Sequence, residues 1–224
     1  MKGKRTGWLT AEYSMLPTAT HVRTMRDEST GKRNGRAIEI SRLISRSLRN
    51  IVDLSRLGER TITIDCDVLQ ADGGTRTAAI TGSYLALYMA TQKWISSGDL
   101  DRSFLRDEVA AVSVGVIDGK AYLDLDYQED SNADADYNFV LTRNGSIVEI
   151  QGTCERASIS WDNFEHIRQL ACLGASEWFK LYDNQKKLIF DVVPQNYSTT
   201  KHDDYSSSPA KRAPLFCLKN RLAQ

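Results

Sequence analysis

The stretch GERTITIDCDVLQADGGTRTAAITGSYLALYM, residues 58–89, runs from an alternating segment through a Gly-Gly turn into the apolar start of a helix. Ile62, Ile64, Cys66 and Val68 fall on one face and Thr61, Thr63, Asp65 and Asp67 on the other, the period of a half-buried strand. Gly73 and Gly74 let the backbone turn and come close to a ligand. Thr75, Arg76 and Thr77 then occupy the first turn of a helix continued by Ala78, Ala79, Ile80 and Leu85. Unpaired N–H groups and the positive end of the helix dipole point outward there. The arrangement suits a phosphate; on these residues alone it suits equally an ordinary strand-to-helix connection with a surface arginine.

Upstream, Ala37, Ile40, Ile44, Leu48 and Ile51 recur at helical spacing, which predicts a helix over Gly35–Val52 with Arg36 at its entrance and Arg42, Arg46 and Arg49 facing elsewhere. Downstream, Val109–Ile117 and Ala121–Tyr127 are β-rich runs joined by Asp118-Gly119, a strong hairpin signal. Tyr137–Thr142 and Ser146–Gln151 repeat the pattern across Asn144-Gly145. Ser160 reads as the N-cap of a helix whose stripe is Phe164, Ile167, Ala171, Ala175, Trp178 and Tyr182. Strands and helices in this order predict an α+β domain. From about residue 191 a Ser-, Asp- and Lys-rich composition without hydrophobic period predicts a disordered tail over 191–224, leaving 1–190 as the domain.

The 224 residues suffice for one domain with a real core. No apolar run approaches the about 20 residues that cross a bilayer, and no signal peptide is legible. Cys66, Cys154, Cys172 and Cys217 are scattered without metal-ligand spacing, which points to reduced thiols and a cytoplasmic location. His21, His166 and His202 show no spacing for zinc or a catalytic triad.

The zero net charge hides a polar distribution. Residues 1–60 carry 13 Lys or Arg against 6 acids, net +7, whereas residues 118–136 carry seven acids against Lys120. Solvated faces account for such runs taken singly; together they suit phosphodiester chemistry with a divalent cation. Within EDSNADADYN, Asp130 and Asp136 stand six residues apart with Glu129 and Asp134 beside them. Carboxylates crowded in this way call for a proton or a cation, which makes the cluster a candidate magnesium or manganese site, or a general acid–base site.

In order, GWLTAEYSMLP (7–17), THVRTMR (20–26), NGRAIEISRLISRSLR (34–49), the stretch 58–82, DLDYQEDSNADADYNFV (124–140) and IVEIQGT (147–153) closely resemble the ribonuclease PH family of phosphate-dependent exoribonucleases. The resemblance spans about residues 3–155, more loosely to about 190. It implies a ribonuclease PH-type β-α-β-α domain, a fold shared with a domain of a ribosomal protein. It implies trimming of tRNA precursor 3′ ends with release of nucleoside diphosphates, inorganic phosphate as co-substrate, a divalent cation (Mg²⁺ or Mn²⁺), and a homohexameric ring built as a trimer of dimers. Position by position it implies phosphate binding by Arg36, Gly74, Thr75 and Arg76, catalysis and metal binding by Asp130 and Asp136, and RNA binding or ring assembly by Arg23 and Arg26.

Members of the family normally carry further strands ahead of Gly7, so the resemblance also implies a domain lacking its first strands. A misplaced start, a gene fragment and a shortened paralogue stabilised by a partner all fit that expectation, as does a catalytically inactive scaffold or RNA-binding subunit. Thr18 replaces a usual arginine, and Glu155–Ser158 departs from a usual Glu-Gly run.

Overall fold

The computed structural model describes residues 6–25 and 34–192, with side chains as far as Lys186. Strand β1 (Trp8–Met15) leads through helix α1 (Gly35–Asn50) and the short α2 (Leu54–Leu57) into β2 (Thr61–Val68), which pairs with β1 in parallel, Trp8 opposite Thr61. The alternation read in β2 holds: Ile62, Ile64, Cys66 and Val68 are half-buried and the residues between them exposed. Helix α3 (Thr75–Ser96) follows. A four-stranded antiparallel sheet of order β4-β3-β5-β6 is then built from β3 (Val109–Ile117), β4 (Lys120–Leu123), β5 (Ala135–Thr142) and β6 (Ile147–Cys154).

Helices α1 and α3 lie between the two sheets, and the long α5 (Trp161–Val192), which follows the short α4 (Tyr127–Asn132), covers the outer face of β3 and β4. Strand β3 is therefore covered on both sides, which is why VAAVSVGVI is nearly continuously apolar. Tyr182 on α5 is buried, donates to the Val109 carbonyl at 2.9 Å and packs its ring 4.9 Å from that of Tyr84 on α3. These contacts tie both helices to the same strand.

Three expectations change. The β-run expected over Ala121–Tyr127 stops at Leu123, because Asp124 takes a left-handed backbone (φ 59°) and Asp126 then caps α4. The Asp118-Gly119 turn does close a two-residue hairpin, both residues at positive φ and Ile117 opposite Lys120. Across Asn144-Gly145 the connection is longer, the Thr142 amide donating to the Ser146 carbonyl, and β6 begins at Ile147. Ser160 accepts from the Asn163 amide as the expected cap, but α5 continues to Val192, past the expected boundary at 190. The tail expected from 191 otherwise falls on residues 193–224, outside the described ones.

Candidate active site

Where the first turn of α3 meets β3 and β5 there is a cavity of about 70 Å³, whose lining includes Arg36, Gly74, Thr75, Arg76, Asp130 and Asp136. All six residues expected to bind phosphate or act in catalysis thus converge on one hollow. A hollow of this size has room for an inorganic oxyanion.

Local rules place each group. Asn34 caps α1 by accepting from the Arg36 amide at 3.0 Å, which leaves Arg36 exposed at the helix entrance. Gly74 caps α3 in the left-handed region (φ 70°) and supplies no side chain to bond the first-turn amides. These amides are therefore free to face an anion. Thr75 accepts a hydrogen bond from Tyr13 on β1 at 3.0 Å, which fixes its hydroxyl. Arg76 is held by Gln151 at 3.0 Å and Glu39 at 3.5 Å, with the side chain 22 % exposed. On the sheet, Ser113 pairs with Asn138 and Gly115 with Asp136, so these four residues form the floor.

Asp136 accepts from Asn138 Nδ2 at 3.3 Å. Burial, reinforced by the nearby Asp130 charge, pushes its carboxyl above the ordinary value, while Arg76 and Arg36 pull it back. Asp124, beside the Gly-Gly turn, is likewise raised by burial and by Asp72.

The crowding expected among Glu129, Asp130, Asp134 and Asp136 is corrected. Glu129 is spent in a capping box with Asp126, each side chain accepting from the other's amide, and of the four only Asp130 and Asp136 line the cavity. The D-x-x-E spacing of Asp126 and Glu129 was the sequence signal for this helix. Arg23 is exposed on the segment after β1 and does not line the cavity; Arg26 lies outside the described residues. Sequence reasoning missed Tyr13, Ser113, Asn138 and Asp72, whose Oδ1 accepts from the amides of both Gly73 and Tyr127 at 3.0 and 2.7 Å.

A Cβ at Gly73 would lie 2.0 Å from the Leu125 carbonyl oxygen, whereas one at Gly82 meets nothing within 4 Å. Gly73→Ala is therefore expected to cost about 1–3 kcal/mol in urea unfolding, and Gly82→Ala to stabilise α3 by up to about 1 kcal/mol.

The chain belongs to the 3′ exoribonuclease family: residues 1–92 match its domain 1 and residues 107–172 its domain 2. Ribonuclease PH of Syntrophomonas wolfei is 54% identical over 181 residues, covering 81% of this chain and 76% of that protein. Ribonuclease PH of Caulobacter vibrioides is 56% identical over the same length and coverage. Among solved structures, rice Rrp46 matches with a TM-score of 0.63 at 15% identity, covering 85% of this chain and 78% of that one. An Archaeoglobus fulgidus exosome with RNA bound to the active site matches at 0.63 and 18%, covering 80% and 72%. At these identities the two structures speak for the fold.

Proposed function

We propose that this chain is a phosphorolytic 3′-to-5′ exoribonuclease that trims tRNA precursors and other RNA 3′ ends. The observation that carries the reading is the meeting of two arginines, a helix N-terminus and two carboxylates in one hollow. Arg36, Arg76 and the first-turn amides of α3 bind inorganic phosphate and hold it against the repulsion of an anionic RNA end. A phosphate oxygen attacks the phosphorus of the last phosphodiester, the P–O3′ bond breaks, and the products are a nucleoside diphosphate and an RNA one residue shorter.

The departing 3′ oxygen needs a proton, which the attacking hydrogen phosphate carries, and Asp136, its carboxyl pushed above the ordinary value by burial and by Asp130, is placed to relay it. Asp130 and Asp136 also fit a divalent cation of the magnesium type, which binds through one or two carboxylates plus water and substrate oxygens; bound there it would neutralise charge on the phosphoryl oxygens. Among the described residues no third His, Cys, Asp or Glu joins them. Arg23 and Arg26 bind RNA or support assembly, and the chain forms a ring built as a trimer of dimers, a reading supported only as far as assembly by the match to an exosome structure. No helix of the described residues is long and apolar enough to cross a membrane, and we place the enzyme in the cytoplasm.

The test is incubation of purified protein with a 3′-extended tRNA and magnesium, with and without phosphate. Nucleoside diphosphates are expected only with phosphate; nucleoside monophosphates, or no release by a folded sample, would refute phosphorolysis.

A further inference from the structure

Among the described residues the hydroxyls of Ser47 and Ser113 are buried without a hydrogen-bond partner, and of the two only Ser113 lines the cavity. A buried hydroxyl without a partner is costly. In the floor of a binding hollow that cost is recovered when a ligand supplies the missing acceptor.

The position of this hydroxyl is defined by Gly74. A Cβ built there would lie 3.3 Å from Ser113 Oγ, 3.2 Å from Thr77 Oγ1 and 3.6 Å from Asp124 Oδ1. Thr77 is already spent, donating to the Gly74 carbonyl at 2.8 Å. Asp124 can only repel an anion while ionised. Ser113 is thus the one of these three groups with an uncommitted proton, and it reaches the hollow from the sheet side. Its neighbour across the strands, Asn138, gives one of its two amide protons to Asp136.

We infer that the Ser113 hydroxyl donates directly to the bound phosphate, closing the anion cradle from the sheet. This rests on the phosphorolytic reading above. The hydroxyl opposes the repulsion of Asp124 at the point where the Gly-Gly turn admits the ligand, and serine suits the position because a larger side chain would press on Gly74. Ser113 is a binding residue for the nucleophile, with no role in proton transfer.

The test is Ser113→Ala, with the dissociation constant of inorganic phosphate measured by calorimetry, the phosphate KM by diphosphate release, and Tm by thermal unfolding. Loss of a neutral donor to a charged ligand is expected to weaken phosphate binding about tenfold and to raise its KM in step. RNA affinity should stay unchanged, and Tm unchanged or higher, since no protein contact is lost. A variant that binds phosphate like the wild type overturns the inference while leaving the phosphorolytic reading intact. A marked fall in Tm also overturns it, by revealing a structural partner for the hydroxyl. If the wild type binds no phosphate and releases no diphosphate, both fall. Should the alanine variant fail to fold, Ser113→Cys, a weak donor of similar shape, is expected to show the same loss of phosphate binding.

Discussion

Arg76→Ala is expected to lower phosphorolysis by about three orders of magnitude while leaving most RNA affinity in place. A single preorganised donor at a developing charge contributes about 10²–10³ in rate, and an arginine at a transferring phosphoryl group about 10³–10⁵. Gln151 and Glu39 already hold one edge of the Arg76 guanidinium, so the geometry is set before the ligand arrives. Arg76→Lys should recover little, because a point charge cannot reproduce a planar fork held from one side and bonding from the other. Single-turnover rates with saturating phosphate, beside RNA binding by anisotropy, check both halves. Equal loss of rate and RNA affinity would reassign Arg76 to gripping RNA.

Asp136→Asn is expected to abolish turnover, by at least about 10³-fold, and at the same time to make the protein more stable. Burial and Asp130 raise the Asp136 carboxyl in the folded state, so the native form holds its proton more tightly than the unfolded chain does. Stability from this group is therefore present in acid and is lost as pH rises through the raised value. At neutral pH the ionised carboxylate is a burden on the fold that asparagine lifts. In a chelating buffer, the variant's Tm should exceed the wild type's by a few degrees at pH 7, and the gap should close once Asp136 is protonated in both states. A lower Tm at pH 7 would contradict the electrostatic account.

Much of this site was legible because short-range rules position it. The strand over Thr61–Val68, the Gly-Gly turn and the helix beginning at Thr75 follow from alternation, turn chemistry and periodicity, and all three stand in the structure. The Asp118-Gly119 hairpin brings β3 and β4 together for the same reason. What failed were features set by distant partners. Strand β1 does alternate, Leu9, Ala11 and Tyr13 buried beneath α1 and Trp8, Glu12 and Ser14 exposed, but its parallel partner lies beyond a whole helix and no local turn marks the pairing. The acidic cluster read as one crowded site because composition does not reveal that Glu129 closes a cap. Ser113 and Asn138 sit in apolar strands as unremarkable polar residues until the register of β3 against β5 sets them side by side.

Asp72 gives the seam between the family's two halves a concrete form. Residues 1–92 bring Arg36 and the Gly74–Arg76 turn, residues 107–172 bring Ser113, Asp130 and Asp136, and the Asp72 carboxylate stitches the two by accepting from Gly73 on one side and Tyr127 on the other. Neither half alone encloses this cavity. A chain cut between them would leave each fragment with half a cradle, so the pair can be inherited, duplicated or fused only as one unit if the site is to travel with it.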